Sequence, residues 1–240
     1  MSVRTRLLEY DDGQTTFEGM LAWDDAIDGA CPGVLVAHTI RGRTPFEERK
    51  ARDLAELGYA AFALDVYGKS ALGGDDASNR AHMDALKADR PVLQRRMLLS
   101  LQIMKDQPEV DASRVAALGF CFGGLSVLDL ARTGEGLAGV ISFHGLLEAP
   151  GNTAGNTIKA RMLALHGWDD PLAPPDRVSA FADEMTAMGA DWQLHAYGNT
   201  MHAFTNPAAD DSKKGTVFNA TADRRSWIAL RNFLSELFDE

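Results

Sequence analysis

Gly119-Phe120-Cys121-Phe122-Gly123-Gly124 is the stretch whose reading decides the fold. The residues before it, Arg114-Val115-Ala116-Ala117-Leu118, read as a short buried strand, and residues 125–132 read as a helix. A side chain placed at a sharp turn between a strand end and a helix start is lifted to the carboxyl edge of a sheet, where it can react. Glycine on both sides suits such a turn, because a Cβ there would collide with neighbouring backbone. Cysteine stands where serine is more frequent in this pattern. The competing reading, a buried cysteine acting as a small hydrophobe, does not explain why motif and context agree.

Outward from this turn, strands and helices alternate. Residues 4–10 and 15–23 read as two strands of an antiparallel hairpin, joined by Asp11-Asp12-Gly13. Strand 34–38, helix 45–57, strand 60–65, helix 91–105 and strand 114–119 follow. Beyond the helix after Cys121 come strands 139–143 and 162–165, helix 176–188, strand 192–197 and an amphipathic helix over 224–238. This order predicts an α/β fold: a mostly parallel central sheet, helices on both faces and an antiparallel N-terminal hairpin. Three stretches lack strong periodicity, 67–90 (which turns helical before its end), 145–157 and 206–221. In a parallel sheet all three border the carboxyl-edge crevice, as loops or a small lid. With no internal repeat and no second core, residues 1–240 read as a single domain.

At 240 residues and 45% hydrophobic content, the chain is long enough to bury a core without metal or disulfide support. A net charge of -10 without a compensating basic run disfavours nucleic acid as a partner. No apolar run approaches the ~20 residues of a membrane span. The opening Met1-Ser2-Val3-Arg4-Thr5-Arg6 lacks the apolar segment of a signal peptide, so a cytoplasmic location away from membranes is expected. Two cysteines are too few for a disulfide framework. Cys31 precedes its strand and Cys121 follows its own, which in parallel strands sets them roughly 15–20 Å apart. A bridge needs Cα atoms within about 7 Å, so Cys121 is expected as an unbridged thiol.

A cysteine nucleophile needs a base, and the base needs an acid to orient it. Asp169 and Asp170 sit in Leu165-His166-Gly167-Trp168-Asp169-Asp170-Pro171, a strand end breaking into a loop. His202 sits in Tyr197-Gly198-Asn199-Thr200-Met201-His202-Ala203-Phe204, a loop after the last strand. Both fall beyond strand carboxyl ends, on the edge that carries Cys121. The helix start at Cys121 favours a thiolate, and a neighbouring imidazole favours it further as an ion pair. The order nucleophile, acid, histidine is that of α/β hydrolases.

On these residues the chain resembles the dienelactone hydrolases of the α/β-hydrolase superfamily, over about residues 32–238. The resemblance rests on the Cys121 motif, on the acid loop ending Asp170-Pro171-Leu172-Ala173-Pro174, and on His202-Ala203-Phe204. Gly58-Tyr59-Ala60-Ala61-Phe62-Ala63-Leu64-Asp65-Val66-Tyr67-Gly68 adds to it. It implies Cys121 as nucleophile, Asp170 as acid, His202 as base, and an oxyanion hole from the backbone N–H groups of Phe122 and Ile40. Asp170 is preferred to Asp169 for its position relative to Pro174. The implied reaction is hydrolysis of a small-molecule ester or lactone through an acyl-thioester, with no metal or organic cofactor.

Two departures from the family pattern bear on chemistry. Members place a glutamate where His38-Thr39-Ile40-Arg41-Gly42 puts Thr39, and threonine cannot influence the resting thiol by charge. Members also clamp a substrate carboxylate with two arginines, and the matching positions here are Lys69 and Asn206. A lysine lacks the bidentate fork and asparagine is neutral, which moves the expected substrate away from an acidic dienelactone. Arg41 and Arg80 are the alternative cations. Thr39, Lys69, His144, Trp168, Phe204 and Asn206 form the expected substrate-binding set. His38, His144 and His166 each end a strand, but no HxH or HExxH spacing supports a metal site, so they read as pocket wall or as groups bonded to backbone. Two rival functions remain: a thioesterase or peptidase on the same fold, and a non-catalytic binding or redox-sensing module built on an oxidisable thiol. Oligomeric state has no signature in the sequence.

Overall fold

Asp12 and Gly13 decide the first turn of the chain. The Asp12 carboxylate accepts hydrogen bonds from the backbone of Gln14 (3.0 Å) and Thr15 (2.8 Å), and Gly13 supplies the left-handed residue at φ 86°. Strands β1 (Val3–Asp11) and β2 (Thr16–Asp24) are thereby paired antiparallel, with Asp11 opposite Thr16. The computed structural model describes residues 2–239. Eight strands hydrogen-bond into one mixed, mostly parallel sheet in the order β1-β2-β4-β3-β5-β6-β7-β8. The chain divides into two compact units, one ending at Leu118 and the other beginning at Gly119.

In the first unit, β3 (Cys31–Ala37) runs parallel to β4 (Ala60–Ala63), and β4 pairs antiparallel with β2. Gly19 of β2 is required because a Cβ there would press into the Phe62 ring. All four residues of β4 are buried, as expected of a strand covered on both faces. The covering helices have sequence-encoded starts. Helix α1 (Pro45–Ala55) opens on a capping box between Thr44 and Glu47. Asp75 caps α2 (Asp76–Ala88), and Asp89 caps α3 (Arg90–Lys105). Strand β5 (Val110–Phe120) carries the chain to Cys121.

In the second unit, β6 (Gly139–Phe143), β7 (Arg161–Gly167) and β8 (Trp192–Tyr197) are parallel in adjacent pairs. Helix α4 (Phe122–Arg132) is buried along its whole length, and α5 (Pro175–Ala187) and α6 (Ala220–Phe238) complete the layers. Arg132, fully buried, forms a bidentate pair with Glu184 at 2.9 and 2.6 Å and so fastens the end of α4 to α5.

Several details differ from the sequence reading, among them the early start of β5 at Val110. The stretch 206–221 holds a small antiparallel hairpin, β9 (Asp210–Asp211) with β10 (Thr216–Val217). Two-residue strands leave no periodicity to read. Helix α6 starts at Ala220, four residues early, because the Asn219 side chain accepts from the N–H groups of Thr221 and Ala222. Helix α4 starts at Phe122, directly after Cys121. Cys31 belongs to its strand, its N–H bonded to the Glu109 carbonyl. Neither cysteine is in a disulfide. No described helix is long and apolar enough to cross a membrane.

Candidate active site

Cys121 links β5 to α4 with φ 58° and ψ -115°, a conformation that costs an L residue on the order of 1–3 kcal/mol. The flanking glycines make it possible. A Cβ at Gly119 would drive into the Gly123 carbonyl, and one at Gly124 would sit 2.7 Å from Ser142 Oγ and 2.8 Å from Gly145 Cα. The Cys121 N–H is shared between the Phe143 carbonyl (3.0 Å) and Nδ1 of His144 (3.1 Å). Phe122, the next residue, is the first of α4, and the first N–H groups of any helix have no acceptor within it.

The loop after β7 delivers a carboxylate. Gly167 lets it approach the 198–202 loop: a Cβ there would lie 2.5 Å from the Thr200 carbonyl oxygen and 2.7 Å from that of Met201. The N–H groups of Trp168 and Asp169 then bond to Tyr197 and Thr200, both at 2.9 Å. This lacing leaves Asp169 exposed and turns Asp170 inward. Asp170 Oδ1 accepts from the Leu172 N–H at 2.8 Å, and Oδ2 lies 2.7 Å from Nδ1 of His202. Both side chains are buried.

The unforeseen hairpin holds the histidine. The His202 N–H donates to the Gly215 carbonyl (2.9 Å), and the Val217 N–H donates to the His202 carbonyl (3.0 Å). Gly215 has φ 71° and abuts the Pro171 ring, so no other residue fits there without strain.

His202 Nε2 is buried and makes no hydrogen bond of ordinary geometry with the described residues; its interaction is with Cys121. Burial works against charge on this ring, but the neighbouring Cys121 and Asp170 outweigh it and push the pKa up to about 10. Both neighbours thus favour the protonated imidazole through neutral pH. Because the raised pKa belongs to a proton held by its partners, the ring keeps that proton as pH rises past 6.5 and sheds it near 10. Proton NMR of the wild type should show one histidine titrating near pH 10. In Cys121→Ala that titration should move down, and an unmoved midpoint would mean that the sulfur is not the group retaining the proton.

Two further histidines are buried beside this pair. Burial, reinforced by charge on His202, holds His144 well below the usual histidine range. Burial also lowers His166, against the pull of Asp170, and neither of its ring nitrogens makes a hydrogen bond of ordinary geometry. Among the described residues no group of three His, Cys, Asp or Glu side chains could hold a metal ion.

The residues expected to bind substrate are scattered in role. His144, read as pocket wall, is 2% exposed and bonded on both ring nitrogens, because its φ of 38° turns the ring into the protein. Phe122 and Phe204 are fully buried; Phe204 packs edge-on against His144 (5.1 Å) and Tyr197 (5.6 Å). Trp168 and Leu172 are exposed, flanking Asp170. Asn206 bonds its own turn through the Ala208 N–H. In the first unit, Lys69 is ion-paired with Glu9 and Glu18. Thr39 and Ile40 lie on the turn after β3. There the fully buried Glu47 accepts from the Thr39 N–H (3.0 Å), the Thr44 N–H (2.9 Å) and the Thr44 hydroxyl (2.6 Å). Gly167, Thr205 and Gly215 carry no motif, and Glu47 belongs only to a Thr-x-x-Glu capping pattern that the sequence reading did not use.

The dienelactone hydrolase family profile matches residues 17–238. The crystal structure of a dienelactone hydrolase-like promiscuous phosphotriesterase from metagenomic libraries is 41% identical, with a TM-score of 0.93, covering 99% of this chain and 100% of that one. A probable 2-oxo-3-(5-oxofuran-2-ylidene)propanoate lactonase of Bradyrhizobium is 28% identical over 85% of this chain and 86% of its own. An uncharacterised protein of Caenorhabditis elegans is 36% identical over 61% of this chain and 94% of its own.

Proposed function

This chain belongs to the dienelactone hydrolase family of ester and lactone hydrolases, and we propose that it cleaves its substrate with Cys121 as nucleophile, His202 as proton carrier and Asp170 as orienting acid. The observation that carries this reading is the buried contact of 2.7 Å between Asp170 Oδ2 and His202 Nδ1, on a ring whose pKa Cys121 raises.

The chemistry follows from that pair. The thiolate attacks the carbonyl carbon, a C–S bond forms, and the carbonyl oxygen becomes an oxyanion. The Phe122 N–H would stabilise it, with the Ile40 N–H as the second donor that the family resemblance implies; such donors are each worth about 3 kcal/mol. Collapse breaks the C–O bond, and the leaving alkoxide takes the proton from His202. In a lactone that alcohol stays tethered to the acyl group.

Acylation also changes the base. With the sulfur now in a neutral thioester, the strongest influence raising the His202 pKa is gone, and burial pulls it down. The neutral ring then accepts a proton from water as the water oxygen attacks the thioester. Expulsion of the thiolate restores the starting ion pair and releases the acid. The ion pair thus activates the thiol without a charged residue at position 39.

Substrate charge is the second part of the proposal. With Lys69 paired to two carboxylates and Asn206 neutral, we assign the enzyme to uncharged esters and lactones. The 41% identity to a promiscuous phosphotriesterase supports a secondary activity on phosphotriesters. One panel tests both: matched esters and lactones with and without a carboxylate, acyl-CoA and peptide substrates, and an aryl phosphotriester. Neutral esters or lactones should match or exceed their carboxylated partners in kcat/KM, because no charged contact rewards the carboxylate. Higher rates on carboxylated substrates, acyl-CoA or peptides would reject the assignment.

A further inference from the structure

His144 touches both halves of the reactive pair without being part of it. Its Nδ1 lies 3.1 Å from the Cys121 backbone N–H, and its Nε2 lies 2.9 Å from Thr205 Oγ1. Its ring stands edge-on to that of His202, centroids 4.9 Å apart at 65°. A nitrogen that accepts from an N–H cannot itself carry a proton, so Nδ1 is bare and Nε2–H donates to the threonine. The backbone around the ring is held as well, since the His144 N–H donates to the Leu165 carbonyl at 2.8 Å.

We infer that His144 is a positioning residue, a neutral imidazole set in the Nε2–H tautomer by the Cys121 N–H and anchored by Thr205, which holds the strained Cys121 backbone and the His202 ring in reacting register. This rests on Cys121 being the nucleophile. The logic is one of matched needs. A φ of 58° at Cys121 persists only if its neighbours over-determine it. The acceptor at Nδ1 is one such neighbour, and the Phe143 carbonyl is the other. The residue must also stay uncharged, since a cation here would oppose the imidazolium of His202. Burial ensures that, and so do the titratable groups facing the ring: His202, and His166 on β7.

Thr205 has a purpose in this scheme that sequence spacing does not reveal. If its hydroxyl is removed, Nε2–H loses its buried acceptor and the Cys121 N–H alone is left to hold the tautomer. The alternative tautomer would set two N–H groups against each other at Cys121.

Two amides separate the contacts. Asparagine places an oxygen near the position of imidazole Nδ1 and tolerates a left-handed backbone. Glutamine places its amide nearer Nε2 and leaves the Cys121 N–H without its side-chain acceptor. His144→Asn should therefore recover most of the rate, within about threefold of wild type. His144→Gln should lose about 30-fold in kcat with KM little changed, the worth of one buried hydrogen bond expressed in the transition state. Thr205→Val, nearly isosteric, should lose about tenfold and shift the pH profile of Cys121 alkylation by iodoacetamide toward that of an ordinary thiol. Unfolding midpoints measured in parallel report fold damage separately. Equal kcat in the Asn and Gln variants, or a Thr205→Val enzyme with wild-type kcat and alkylation profile, would overturn the inference. The underlying reading fails differently: wild-type protein fully alkylated at Cys121 would keep its turnover, and both would then fall.

Discussion

Cys121→Ala should lower turnover of an activated aryl ester by ~10⁴-fold or more, because loss of the nucleophile removes the covalent route itself. The fold should survive. Alanine deletes one sulfur from a partly exposed position, and the demand for φ 58° is the same for either residue. Cys121→Ser should fare little better. The proposed ion pair depends on an acidic sulfur, and a serine hydroxyl gives His202 no anion to hold its proton. One equivalent of iodoacetamide should abolish activity, and mass spectrometry should find the adduct on Cys121. An alanine variant hydrolysing the ester at the wild-type rate would sink the mechanism. Reversible oxidation of Cys121 in a protein with no turnover on any ester or lactone would instead favour a redox sensor.

Asp170→Asn should cost ~10³–10⁴-fold in kcat, and the geometry says why so small a change costs so much. Oδ1 of Asp170 is committed to the Leu172 N–H at 2.8 Å, which demands an oxygen. An asparagine would keep its oxygen there and turn its NH₂ toward His202 Nδ1. That nitrogen would have to give up its proton to accept, leaving the proton on Nε2, facing the sulfur. Such a ring can neither sustain the thiolate nor take a proton from water. Asp169→Asn is the control: its side chain is exposed, and kcat should stay within about twofold. A severe loss in the 169 variant with a mild one in the 170 variant would reverse the assignment. The alkylation profile of the 170 variant should move toward an ordinary thiol near pH 8.5.

Much of the architecture is legible locally. The hairpin at Asp12-Gly13, the strand–helix alternation and the glycine-flanked turn at Cys121 all follow from turn chemistry and burial period, which act over a few residues. The caps at Thr44, Asp75 and Asp89 act over the same short range but came from the structure. The hairpin at residues 210–217 is not legible, because its short strands owe their pairing to His202, Gly215 and Pro171 rather than to a pattern of their own.

The chain alone determined where reactive groups fall relative to strand ends, and so put Cys121, the Asp169-Asp170 pair and His202 on one edge of a sheet. Tertiary structure decided which groups meet. The approach of the Gly167 loop to Thr200 turned Asp170, and not Asp169, toward the histidine. A left-handed residue at the end of β6 made His144 a partner of the Cys121 backbone instead of a pocket wall. Ion pairs with Glu9 and Glu18 occupied Lys69, which the family resemblance offers to a substrate. A hydrogen bond forms wherever a donor and an acceptor come within about 3 Å, and distances between loops tens of residues apart are set by packing that no local pattern records.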